Sequence, residues 1–296
     1  MRAGFIGCVE SSRVALKTLL DVKGLTVSVV VTREQSAVNA DFCDLTDLCK
    51  RYDIPFHFEN PKDRAATVSF LESFDLDIIF CIGWSYLLDK KMLALPKQGI
   101  IGFHPARLPS NRGRHPIIWA LALGLQETAS TFFLMDEGAD SGPIASQVLI
   151  SISESDNATS LYKKILKTSQ QQLTKLASDL VNGTATFIEQ DDSKATYWRK
   201  RNRNDGTIDF RMTAGSIHNL IRALAPPYPG AEFISNGQYV VVRNSCISQD
   251  NFPLDVEPGK VLSKKGEGLL VKAGGSSAIW LLDLKKNDIA VGDYLR

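Results

Sequence analysis

The residues able to do chemistry gather between Gly99 and Pro143, in the stretch GIIGFHPARLPSNRGRHPIIWALALGLQETASTFFLMDEGADSGP. His104 directly follows a run, 99–103, that reads as a strand, and Pro105 fixes the backbone just after it. Asp136, Glu137 and Asp140 follow a second run, 131–135, within a Gly-containing loop closed by Gly142-Pro143. In an open parallel sheet, ligands bind at the carboxyl ends of the strands. A histidine and a carboxylate at two strand ends can therefore meet as a base and its orienting group. A histidine in such a place can equally be a satisfied surface or capping residue, and spacing alone leaves both readings open.

Other candidates point to less. The first strand-to-helix junction, Gly4-Phe5-Ile6-Gly7-Cys8-Val9-Glu10-Ser11, has no GxGxxG and no acid where a ribose contact would be made, so it reads as a tight turn. The five cysteines (Cys8, Cys43, Cys49, Cys81, Cys246) are odd in number and lack CxxC spacing. Neither a zinc site nor a disulfide framework is expected, and reduced thiols suit a cytoplasmic protein. A net charge of +1, without a long run of like charge, argues against a protein that grips nucleic acid through its phosphates. The N-terminus MRAGFIGCVESS lacks a signal-peptide pattern, and no apolar run nears the roughly 20 residues of a membrane helix. A soluble protein without a membrane partner is the expectation.

The chemistry needs a scaffold, and the periodicity describes one. A chain of 296 residues with 44% hydrophobic and 23% charged residues can bury one large core or two smaller ones. Apolar runs at 3–9, 25–31, 55–58, 76–82, 99–103 and 131–135 read as strands. Helical patterns fall at 41–52, 65–74 and 116–123, and a long one at 161–181 ends in Asn182-Gly183. Alternation at this spacing predicts an α/β domain with a Rossmann-like, mostly parallel sheet over residues 1–190. Residues 191–210 are polar, charged and without period, and read as a linker. Beyond Gly230, short β-like runs at 239–242, 259–262, 268–271 and 278–282 predict a smaller β-rich, OB-like domain over 211–296.

HPARLP, RGRHPIIWAL and MDEGADSGPI, standing in this order, resemble the catalytic core of the folate-dependent formyltransferase family. That family includes glycinamide ribonucleotide, methionyl-tRNA and sugar N-formyltransferases. Ile82-Gly83-Trp84-Ser85-Tyr86 resembles the loop lining the family's folate pocket. Tyr197-Trp198-Arg199, the stretch Asp205-Gly206-Thr207-Ile208-Asp209-Phe210, Ile221-Arg222-Ala223-Leu224 and Pro227-Tyr228-Pro229-Gly230-Ala231 resemble the junction into the C-terminal domain of tRNA and sugar members.

By position, the resemblance implies that His104 is the catalytic histidine and Asp140 its partner carboxylate. It places 10-formyltetrahydrofolate, without a metal, against Trp84, Ser85, Tyr86 and Leu87 on one side and Asp136, Glu137, Gly138 and Asp140 on the other. Amine attack on a formyl carbon leaves a positive nitrogen and a negative oxygen, so one group must take a proton and another must meet the oxyanion. One departure stands out: most members carry Asn two residues before the histidine, where this chain has Gly102. Losing an oxyanion donor costs on the order of a hundredfold in rate. A folate- or nucleotide-binding protein without turnover is therefore an alternative.

The amine is read from the remaining segments. A purine-biosynthesis member would end near the long helix, so the C-terminal extension argues against that. A methionyl-tRNA member would carry a basic inserted loop, and the corresponding stretch 32–43 has one Arg and no Lys. Asn111, Arg112, Arg114 and His115 resemble the segment that sugar members place beside a nucleotide-linked amino sugar, and guanidinium groups suit a diphosphate. The expectation is thus a sugar N-formyltransferase serving lipopolysaccharide or another surface glycoconjugate. Pairing of the β-rich module with a second copy of the chain would make a homodimer.

Overall fold

A computed structural model of the chain describes residues 1–35, 40–284 and 288–296. Within the stretch 32–43 weighed above, residues 36–39 lie outside the described residues. In chain order the elements are β1 (Arg2–Ile6), α1 (Glu10–Leu20), β2 (Thr26–Thr32), α2 (Thr46–Arg51), β3 (Phe56–Phe58), α3 (Arg64–Glu72), β4 (Ile78–Cys81) and α4 (Lys90–Leu93). They continue as β5 (Ile100–His104), β6 (Arg112–Gly113), α5 (Pro116–Ala122), β7 (Glu127–Leu134), β8 (Ile144–Ser151), α6 (Ala158–Asn182) and β9 (Tyr197–Trp198). The remainder is α7 (Ala214–Ala223), β10 (Ala231–Ser235), β11 (Gln238–Val242), β12 (Asn244–Ile247), β13 (Val261–Lys265), β14 (Gly268–Lys272) and β15 (Ala278–Leu282).

The chain divides into two compact units. The first holds residues 1–116, 128–150 and 163–198. Its seven-stranded sheet has the order β3-β2-β1-β4-β5-β7-β8. Strands β1 to β5 pair in parallel, and β7 runs antiparallel to β5, with Gly102 opposite Phe133 and His104 opposite Thr131. Alternate residues of the inner strands feed two cores, as a sheet covered on both faces requires. Phe5, Val30, Phe80 and Ile101 face Leu16, Leu19, Leu173 and Leu176, whereas Ile6, Val31, Ile79 and Ile100 face Val68, Leu71 and Met92. The mostly parallel α/β fold is therefore present.

The helix expected over 41–52 contracts to α2. Phe42 is taken by a bridge to Val9, and the Asp44 carboxylate accepts the Thr46 N–H at 2.9 Å, so the helix begins only there. Strand β8 was not foreseen. It lies at the sheet edge with partly and fully exposed positions, and no apolar run announces it. Helix α6 ends as expected, with Gly183 at φ +70° just beyond Asn182. Burial pushes the Cys49 thiol up to about 11 and raises Cys81 too, so these thiols stay protonated and inert near neutral pH.

The second unit holds residues 117–127, 151–162 and 199–296. It is rich in antiparallel strands: a four-stranded sheet ordered β12-β15-β14-β13 and a separate β10–β11 hairpin. Asn236-Gly237, both with positive φ, form the hairpin's two-residue turn. Helix α7 starts at Thr213, whose hydroxyl accepts the Ser216 N–H at 3.2 Å. The basic stretch Arg199 to Arg203 is tied down rather than loose. Arg199 pairs with Asp205, Arg199 and Arg201 lie over the Trp119 ring, and Arg203 bonds Glu232 at 2.7 Å.

Candidate functional site

His104 is the last residue of β5, not the first after it, and is 5% exposed. The chain beyond it is pinned to the neighbouring strands. The Thr131 hydroxyl donates to the Ala106 carbonyl at 2.7 Å, and Gln147 donates to the Leu108 carbonyl at 3.0 Å. The segment then returns, and the Asn111 carbonyl meets His104 Nε2 at 2.8 Å. A carbonyl can only accept, so Nε2 carries the hydrogen and the neutral ring keeps its lone pair on Nδ1. That Nδ1 faces the Asp140 carboxylate, 3.6 Å from Oδ2.

Asp140 is placed by a loop between β7 and β8 that leaves no room for larger residues. A Cβ on Gly142 would stand 1.8 Å from the Leu134 carbonyl oxygen. The Asp136 carboxylate accepts the Gly138 N–H at 2.9 Å and the Ser141 hydroxyl at 2.7 Å, which folds the loop on itself. Asp140 Oδ2 accepts the Gly113 N–H at 2.8 Å. Of the six non-glycine residues with positive φ among the described residues, three sit here: Asn111 at +67°, His115 at +57° and Asp140 at +57°. Such conformations cost energy and gather where a function fixes the backbone.

The other residues singled out from the sequence divide between this cluster and its surroundings. Arg114 Nη1 donates to the Ser85 carbonyl at 2.6 Å, joining segment 111–115 to the loop after β4. In that loop the Trp84 and Tyr86 rings meet edge to face at 5.8 Å, and Leu87 is 63% exposed. Glu137 turns outward to Lys90 at 2.8 Å. Arg112 is enclosed, 2% exposed, with its guanidinium on Gln190, Asp192 and Tyr197. Gln190 and Thr196 were not singled out from the sequence as site residues, and Tyr197 was named only within the stretch resembling the junction into the C-terminal domain. They fall in or beside a polar stretch, and their partners lie 78 to 85 positions away, so no local pattern could have shown them.

Gly102 lies on the same face as His104, two residues before it. A Cβ there would stand 2.8 Å from Met135 Cγ and 2.9 Å from Phe133 Cζ. Apolar side chains hold the space that the family's asparagine would need. The first strand-to-helix junction is a closed turn, as expected: Ser12 Oγ accepts the N–H groups of Cys8 and Val9 at 3.0 Å and donates to the Ile82 carbonyl at 2.6 Å. Among the described residues no group of three or more His, Cys, Asp or Glu could hold a metal ion, and no helix is long and apolar enough to cross a membrane.

A family pattern described as formyl transferase matches residues 21–176, and one described as formyl transferase, C-terminal domain, matches residues 200–295. Among solved structures the chain is similar to WlaRD, a sugar 3N-formyl transferase in the presence of dTDP and 5-N-formyl-THF. The TM-score is 0.72 at 16% identity, over 98% of this chain and 99% of that one. An N-formyltransferase from Helicobacter canadensis, in complex with folinic acid and dTDP-3-aminofucose, gives 0.72 at 18% identity over 94% and 98%. A 4-N formyltransferase from Francisella tularensis gives 0.67 at 22% identity over 81% and 96%.

Proposed function

The chain belongs to the formyl transferase family, and from that premise we propose that it transfers the formyl group of 10-formyltetrahydrofolate to the amino group of a nucleotide-linked amino sugar. The observation that carries this reading is the His104–Asp140 pair, held at 3.6 Å by backbone groups of one segment, 111–113. The likeness to sugar N-formyltransferases along nearly the whole chain supports the substrate class.

In this reading the folate supplies the formyl carbon, and the protein's residues manage the proton. His104 Nδ1, whose ring is oriented by the Asn111 carbonyl, accepts the proton of the attacking amine as the new N–C bond forms and returns it to the folate nitrogen as that nitrogen's bond to the formyl carbon breaks. Asp140 steadies the imidazolium that results, as a carboxylate beside a histidine does. Trp84, Ser85, Tyr86 and Leu87 would face the folate from one loop, and Asp136, Gly138 and Asp140 from the other, with the Glu137 side chain turned away to Lys90. The fit rests on the paired Trp84 and Tyr86 rings beside the polar Asp136–Asp140 loop, apolar walls with a few polar groups being the ordinary make-up of such a site. Asn111, Arg114 and His115 line the amino-sugar side, with Arg114 nearest the folate loop through Ser85. A catalytic domain over 1–190, a linker over 191–210 and a β-rich domain over 211–296 describe the same enzyme. It would act in the cytoplasm on precursors of lipopolysaccharide or another surface glycoconjugate, as a monomer or a homodimer paired through the β-rich domain.

The test is incubation with 10-formyltetrahydrofolate and a panel of nucleotide amino sugars, followed by mass spectrometry of the products. One or more formylated sugars are expected. Formylation of methionyl-tRNA with no sugar modified would replace the substrate assignment. Absence of transfer to every amine would overturn the reading.

A further inference from the structure

The Arg112 guanidinium is 2% exposed, and a charge so enclosed must be met by protein groups. Nε and Nη2 donate to Gln190 Oε1 at 3.2 and 2.9 Å, Nη2 to Asp192 Oδ1 at 2.7 Å, and Nη1 to the Tyr197 hydroxyl at 2.8 Å. Because the guanidinium has only donors, it fixes which end of the Gln190 amide faces it: the oxygen. The amide nitrogen therefore points the other way, where its two hydrogens reach the carbonyls of Asp140 at 2.9 Å and Gly142 at 2.6 Å. The first of these carbonyls belongs to Asp140, the loop residue at φ +57° whose carboxylate faces His104, and the second lies two residues further on. Arg112 itself lies between Asn111, which orients His104, and Gly113, which bonds Asp140.

We propose that Arg112 and Gln190 are positioning residues for the transfer reaction: the buried guanidinium orients the Gln190 amide, which clamps the Asp140 backbone and so sets its carboxylate against His104. The proposal rests on the functional reading given above. It removes Arg112 from direct contact with a diphosphate and leaves that contact to Arg114. No atom of the pair touches a reacting group; both act through Asp140.

Gln190→Glu separates positioning from mere burial of charge. Glutamate still offers oxygens to Arg112, and a charge besides, but has no N–H for the two loop carbonyls. If Gln190 only neutralised a buried cation, this variant would keep wild-type turnover. Positioning instead predicts a fall in kcat toward a hundredfold, the scale of a misplacement on the order of 1 Å, with both KM values and the thermal midpoint unchanged. Arg112→Lys, which keeps the charge and loses the fork, should lower kcat in the same way while calorimetric binding of the nucleotide sugar stays at wild-type strength. Gln190→Asn decides the matter should Arg112→Lys fail to fold. Wild-type kcat in Gln190→Glu, or a raised KM for the nucleotide sugar with unchanged kcat in Arg112→Lys, would overturn the proposal. A wild-type protein that transfers no formyl group overturns the functional reading; one sensitive to His104→Ala but indifferent to Gln190→Glu overturns the positioning role alone.

Discussion

Two close approaches of chain to chain stand at the carboxyl edge of the same sheet, and they are built alike. At the first, beyond β1 and β4, a Cβ on Gly7 would lie 2.4 Å from the Ile82 carbonyl oxygen. At the second, beyond β5, a Cβ on Gly113 would lie 2.3 Å from the Trp198 carbonyl oxygen. At the first, Ser12 binds two N–H groups and a carbonyl, so its hydroxyl is fully used. At the second, a histidine nitrogen and a carboxylate oxygen face each other at 3.6 Å, beyond hydrogen-bond length. Tight packing is common to both; only the second brings two titratable side chains together, His104 Nδ1 facing an Asp140 oxygen that the Gly113 N–H holds in place. That difference, not glycine content or backbone strain, separates a structural turn from a site.

The comparison breaks most readily through His104 and Asp140. His104→Ala and Asp140→Ala should each lower turnover by about 10²- to 10⁴-fold, the range for removal of a general acid–base group. Circular dichroism should show an unchanged fold, and near-normal turnover in either variant would reduce the second approach to the status of the first. Gly7→Ala tests the opposite side. The added methyl meets a backbone oxygen and the Ser12 side chain, an overpacking that costs about 1–3 kcal/mol. Thermal denaturation should register that loss, while kcat per folded molecule holds.

Gly102→Asn sharpens the comparison. Its side chain must displace Phe133 and Met135, so the expected result is lower turnover together with a lower melting temperature. A gain in turnover would mean that the missing amide alone limits this enzyme. The smallest effect concerns acid. Asp47 forms a two-pronged pair with Arg13, at 2.7 and 2.6 Å, and this hydrogen bonding holds the carboxyl down to about 2. Its folded value lies below the unfolded one of about 3.9, so the pair stabilises fully above that pH and fades as pH falls through the folded value. Because Asp47 is 45% exposed, the contribution is under about 1 kcal/mol. Asp47→Asn should therefore lower stability slightly at pH 7 and by less near pH 2, a contrast that urea titrations at the two pH values would register.

What could be read in advance follows from where the physical signal resides. Strands β1, β2, β4 and β5 are buried on both faces over most of their length, so their sequences are largely apolar runs. Strand β8 and the two-residue strands β6 and β9 have no such run, because an edge or a short ladder asks little of side chains. His104 and Asp140 stood at a strand end and in a glycine-bearing loop, but spacing left their role open, and only the resemblance of HPARLP and MDEGADSGPI to a family core singled them out. The filling of the space at Gly102 was not legible, since it depends on Phe133 across the sheet. Gln190 was equally hidden: an unremarkable amide at the start of a polar stretch acquires its role only through partners some fifty and eighty positions away.

Segment 111–113 serves His104 and Asp140 with main-chain atoms, a carbonyl and an N–H. Substitution changes side chains and leaves peptide groups in place, so the orientation of both residues is insulated from most mutation. Gly113 is the exception, held to glycine by φ +104° and the Trp198 carbonyl. The side chains at 111 and 115 are restricted in their own way, to residues that tolerate a positive φ, but they do not themselves hold His104 or Asp140. On the function proposed above, a lineage built on this arrangement would change the sugar it accepts by its side chains and keep its chemistry by its peptide groups.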